Sequence, residues 1–196
     1  MTWTVPFPSG SAEGSRSADD GASRSGSFLG GSTRAAFEGP TSGDDRAILK
    51  GYLNWQRRTL LNVCAGLDSA QLAAQPVPPS TLSLLGLVRH LAKVERVWLR
   101  QRVAGQDVMP LYGGPGDAAE FARVDPAYAQ AEVEQLCQEW KLADSAAADI
   151  SFDAEIEVRG ETWSVRMVYQ HLIEEYARHN GHADLLRQVL DGVTGR

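Results

Sequence analysis

HLIEEYARHNGHADLLRQVL, His171 to Leu190, is the stretch whose reading decides the fold. Val165, Val168, Leu172, Ala183, Leu186 and Leu190 recur at helical spacing, and at ~100° per residue they fall within a stripe about 60° wide. The spacing predicts a long last helix from about Ser164, ending before Gly192. Two polar residues project into the same stripe. His179 falls at its middle and Glu175 at its near edge, with His182 just outside. A core-facing stripe normally excludes a carboxylate, because burying an unpaired charge is costly. Something must therefore compensate Glu175 and His179. A metal ion shared with another helix is the sharpest candidate, and an internal salt bridge or a wet cavity is the plainer one.

Working outward, three further helical patterns precede this one. Ile48, Leu49, Tyr52, Leu53, Leu60, Val63 and Leu67 mark a helix at about 44–67, with Asp44 or Asp45 as its cap. The residues from Asp68 to Leu72 could add a short turn, and Gln75-Pro-Val-Pro-Pro ends it. A second helix runs from about Ser80 or Ser83 to Ala104, capped by Ser80 or Thr81 and stopped by Gly105. Its broad apolar face includes Leu84, Leu87, Leu91, Val94 and Trp98, and His90 lies at the flank of that face. A third follows Asp125-Pro126 and runs to about Ala148, with Pro126 at its first position. Alternation at Glu155–Val158 and Thr162–Ser164 around Arg159-Gly160 could form a small hairpin before the last helix. The sum is an all-α four-helix bundle over about 44–194.

Two segments stand outside that pattern. Residues 1–43 are rich in Gly and Ser, and their few large apolar residues have no period. Such a segment is expected to be a disordered tail, part of which could lie along the domain as an extended arm. A docking role would use Trp3 or Phe7. The connection at 105–125 is long for a loop. Pro110, Leu111, Tyr112 and the Gly-Gly-Pro-Gly run could form one wall of a pocket.

Composition narrows the function classes. The 196 residues are 43 % hydrophobic and 22 % charged, with a net charge of −6. That acidic balance argues against nucleic acid as a partner. No run is long and apolar enough to span a bilayer, and no secretory signal is evident. Cys64 and Cys137 each lie in a helical pattern without a CxxC pair. Reduced thiols, and with them a cytoplasmic setting, are expected.

On a helix, Glu175 and His179 point the same way one turn apart. With His90 from a second helix they make a three-ligand set inside a bundle. Three protein ligands leave positions open, the pattern of a catalytic site. Two histidines and a glutamate suit zinc, and also ferrous iron or nickel. His171 and His182 compete for the role. His90, His179 and His182 form an alternative triad, with Glu175 as supporting partner or base. For each histidine, a hydrogen bond to a carbonyl is the plainer fate. Glu174 and Arg178 are expected to be a solvated surface pair. No GxSxG is present, and neither cysteine looks activated.

PPSTLSLLGLVRHLAKVERVW (Pro78 to Trp98) and HLIEEYARHNGHADLLR (His171 to Arg187) resemble the two signature segments of the DinB-like superfamily. The likeness extends through GYLNWQRRTLLNVCAGL and covers about 44–194. It is closest to an actinobacterial branch of unknown function related to mycothiol-dependent S-transferases and maleylpyruvate isomerase. The resemblance implies an up-down-down-up four-helix bundle that often dimerises. It implies a divalent metal held by His90, Glu175 and His179. Most members carry His-x3-His where this chain has Glu175 and His179; the mycothiol-dependent maleylpyruvate isomerase has the Glu-x3-His version. His182 stands where many members have glutamine, and could act as a proton carrier. The implied activity is transfer of a small thiol such as mycothiol to an electrophile, in which a metal-bound thiolate is the nucleophile. A non-enzymatic protein binding a metal or small ligand is the alternative.

Overall fold

The computed structural model describes residues 3–5, 37–114, 116–122 and 124–194. Among the described residues are five α-helices and one hairpin: α1 (Asp45–Cys64), α2 (Ser69–Ala73), α3 (Leu84–Glu95), α4 (Ala129–Ala146), β1 (Glu155–Val158), β2 (Glu161–Ser164) and α5 (Val165–Asp191). The four long helices pack as α1 on α5, α3 on α4 and α3 on α5, the all-α bundle that the periodicity predicts. No described helix is long and apolar enough to cross a membrane.

Capping side chains set the boundaries. Asp44 accepts from the Ala47 N–H at 2.9 Å, and Asp68 with Gln71 forms a reciprocal capping box on α2. Each satisfies an N–H that the first helical turn leaves without a partner. Ser164 caps α5, and Gly192 ends it at φ +79°, a left-handed conformation that glycine adopts without penalty. The cap of α3 is Ser83, not Ser80 or Thr81: its hydroxyl accepts from the Gly86 N–H at 3.0 Å. The helix that begins there changes hydrogen-bonding pattern at Arg96 and continues as a π-helix to Val103. Pro126 lies in a short 3-10 turn that leads into α4.

The core is leucine-rich, but a polar node runs through its centre. Arg57 of α1 donates to both oxygens of Glu95 of α3, at 2.7 and 2.8 Å. Its other amino group reaches Asn54 at 2.9 Å and Asp144 of α4 at 2.9 and 3.0 Å. Tyr176 of α5 donates to Glu95 at 3.0 Å and accepts from the Trp140 indole at 2.7 Å. Arg57 of α1 and Tyr176 of α5 thus meet at the buried Glu95 carboxylate of α3, and α4 joins the node through Asp144 and Trp140. At the far end, Arg187 donates to the carbonyls of Val63 and Ala65, at 2.6 and 2.8 Å, and serves the C-terminal end of α1.

Of the N-terminal stretch, Trp3 to Val5 lie along the domain. Val5 is 2 % exposed and exchanges backbone hydrogen bonds with Leu67 and Gly66. Trp3 packs on the core. Residues 6–36, including Phe7 and the bulk of the expected disordered tail, lie outside the described residues.

Candidate metal centre

α3 and α5 bring His90, Glu175 and His179 together. Each offers one ligand atom, and the three atoms lie within 4.8 Å of one another. His90 Nε2 is 3.6 Å from Glu175 Oε2, and His179 Nε2 is 3.5 Å from the same oxygen. Ligand atoms at zinc bond lengths around a tetrahedral ion stand about 3.4 Å apart, close to both separations. His90 Nε2 is buried and has no hydrogen-bond partner. A buried nitrogen left unpaired is costly, so this orphaned atom facing a carboxylate fits a cation between them.

The long connection supplies a residue that helical periodicity missed. Glu120, 5 % exposed, faces His90 Nδ1 at 3.0 Å. Its second oxygen accepts from Lys93 at 2.9 Å, and Lys93 also donates to the Asp117 carbonyl at 2.6 Å. Burial alone would raise the Glu120 pKa, but the hydrogen bonds from His90 and Lys93 outweigh it and hold the carboxyl below its usual range. An ionised Glu120 accepts, so His90 Nδ1 carries the proton and Nε2 presents its lone pair toward Glu175. Such a carboxylate–histidine pair is how metal-ligating imidazoles are fixed in one tautomer. Phe121 stacks on the His90 ring with centroids 5.1 Å apart. Gly86, one turn earlier, allows that approach: a Cβ there would lie 3.2 Å from the Phe121 ring. Tyr112, on the same connection, donates to Glu132 beneath the Arg89 guanidinium.

On α5, burial first and the neighbouring His90 second push the His179 pKa down to about 4. The ring is therefore neutral near pH 7. Burial opposes ionisation of Glu175, but Arg178 and the histidines prevail and lower its pKa. Arg178 donates to Glu175 Oε1 at 2.9 Å as well as pairing with Glu174. The expected surface pair thus reaches one residue further, and Glu175 keeps its other oxygen turned toward the histidines. The salt-bridge reading of Glu175 holds for one oxygen, with Arg178 as partner.

The remaining histidines are placed differently. His182 Nδ1 is 3.4 Å from His179 Nδ1, across that ring from the nitrogen facing Glu175. The alternative triad with His182 as ligand is not the one assembled. His171 sits 4.4 Å from the Trp98 ring and 5.6 Å from Trp163, centroid to centroid, and burial lowers its pKa. These three rings line a cleft of about 600 Å³ that has His90 and Glu175 among its lining residues. Neither cysteine is activated by its surroundings. Both are unpaired, and burial pushes the Cys64 thiol up to about 12 and raises Cys137 as well.

Comparison with known proteins agrees with this architecture. No curated protein and no solved structure matches the chain. A family model described as mycothiol S-transferase matches residues 48–192, which contain α3, α4, α5, all but the first three residues of α1 and every residue of the His90–Glu175–His179 cluster. The chain belongs to the mycothiol S-transferase family, a member of the DinB-like group.

Proposed function

We propose that the protein is a metal-dependent S-transferase that joins a small thiol of the mycothiol type to an electrophile. The observation that carries this reading is the meeting of His90 Nε2, Glu175 and His179 beside an open cleft, with the His90 nitrogen buried and unpaired. His90, Glu175 and His179 would hold a divalent cation. Two imidazoles and one carboxylate suit zinc, with nickel and ferrous iron as alternatives. When bound, such an ion supplies the charge that turns a thiol into a thiolate near neutral pH.

The chain's own residues set up that chemistry. Glu175 brings one negative charge to the site, and Arg178 keeps it ionised. Glu120 and Lys93 hold the His90 tautomer. His179 is neutral without any need to shed a proton at physiological pH. His182, against the His179 ring, would carry a proton between that ring and solvent. Trp98 and Trp163 form an apolar wall against which an electrophile can lie.

A cytoplasmic setting belongs to the same proposal, since small thiols and two unpaired cysteines suit a reducing compartment. So does a homodimer, which the DinB-like resemblance implies; Leu185 and Val189, four apart and exposed on α5, offer an apolar stripe for it. The test is thiol consumption by the zinc-loaded protein with mycothiol and 1-chloro-2,4-dinitrobenzene. The expected result is conjugate formation that falls about a hundredfold or more in His179→Ala. Bound metal without thiol turnover, across a panel of electrophiles, would instead favour a non-enzymatic metal- or ligand-binding protein.

A further inference from the structure

The cleft beside the metal-ligand cluster has a feature that the cluster does not explain. Two arginines line it: Arg102 from the π-helical end of α3, and Arg159 from the hairpin tip. Among the described residues, no carboxylate is paired with either. Arg102 lies over the Trp98 ring, 4.1 Å from its centroid. Burial lowers the pKa of Arg102, and the Arg159 charge lowers it further. The two carboxylates that also line the cleft are engaged elsewhere, Glu175 by Arg178 and Glu161 by the Trp163 indole at 3.3 Å, so the arginines have no counter-ion of their own, an arrangement that an anion would relieve.

The backbone at Arg159 points the same way. The hairpin connects Val158 to Glu161 through two residues, Arg159 at φ +53° and Gly160 at φ +86°. Two-residue loops with positive φ at both positions favour Asn-Gly. An arginine at the first position bears a steric cost there. A strained side chain that lines a cleft is where function is to be sought.

We propose that Arg102 and Arg159 form a recognition site for a carboxylate borne by the electrophile, whose apolar body lies along Val94, Val158 and Trp163. The guanidinium fork matches a carboxylate in shape as well as charge. The cleft is large enough for a small organic acid. This inference rests on reading the cleft as the electrophile's half of a thiol-transfer site, but its binding part can be measured alone.

The experiment is equilibrium binding by the full-length protein as purified, without thiol, read from quenching of tryptophan fluorescence. The probes are 3,5-dinitrobenzoate and 1,3-dinitrobenzene, which differ only in the carboxylate. The wild type is expected to bind the benzoate about tenfold more tightly or better. Arg159→Asn suits the positive φ, so it is expected to melt no lower than the wild type while losing most of that preference. The double variant Arg102→Gln/Arg159→Asn should lose all of it. Equal affinity for the two probes in the wild type, or no binding of the benzoate, would overturn the proposal. So would a preference that survives in the double variant, since the anion would then be held by the metal-ligand cluster. With no thiol present, the measurement is independent of turnover: a failed transfer assay tells against the transferase, and a lost preference tells against this site.

Discussion

Glu120 determines what His90 can do. It accepts from Nδ1 and so turns the lone pair of Nε2 toward Glu175 and His179. Replacing such a carboxylate partner typically weakens metal binding by about 10- to 100-fold. Glu120→Ala should show that loss in competition with a chromophoric chelator while its far-ultraviolet circular dichroism stays that of the wild type. His179 gives a pH signature to the metal-free protein. Its folded pKa is lowered from 6.5 to about 4 by burial and by His90. Between those values the unfolded chain binds more protons, so stability falls as pH drops through the window and levels off below it. His179→Gln should remove that component, making its urea midpoint less steep than the wild type's between pH 6.5 and 4. Asp184 has the opposite sense. Burial alone raises its pKa, and one of its oxygens is buried without a partner. Asp184→Asn should therefore raise the melting temperature at pH 7, with the gain shrinking as acid protonates the native aspartate.

Among the elements, α5 was the most legible in the sequence. Its apolar stripe, its Ser164 cap and its Gly192 stop are local signals, and Glu175 and His179 stood out because they broke a local pattern. What the sequence hid depends on partners far along the chain. Arg57, Glu95 and Glu139 are buried, yet charged residues on a helix ordinarily mark its solvated face. Glu95 is acceptable in the core only because Arg57 and Tyr176 come from other helices. Glu139 is likewise held by Arg96 and Arg100. Glu120 was hidden for a different reason: an irregular connection has no period against which a buried acid can stand out. The change to π-helix at Arg96 also lacks a signal in the sequence. Breaking the central pair tests how α1 is tied to α3. Arg57→Ala leaves the Glu95 carboxylate buried with its main partner gone and should cost about 3–5 kcal/mol. Arg57→Met with Glu95→Leu removes both charges and should cost much less. Urea unfolding of the two variants compares them directly.

At the scale of the whole molecule, the bundle brings one histidine of α3 and a Glu-x3-His pair of α5 to a common point. A three-point site shared between two helices couples metal binding to the packing of the fold. A ligand that binds only the folded state stabilises it by about 2.7 kcal/mol at a hundredfold excess over its Kd. For a chain of this size that corresponds to a rise in melting temperature of about 5–10 °C. Calorimetry with and without zinc should show the rise in the wild type and lose it in His90→Ala. The most direct measurement of the central claim is the metal content of the purified protein, determined by elemental analysis of the wild type alongside His90→Ala and His179→Ala. The predicted result is about one divalent ion per chain in the wild type and a small residue of that in either variant, with the helical circular dichroism unchanged in all three. Full metal content in the variants, or none in the wild type after exposure to zinc, nickel and ferrous iron, would contradict it.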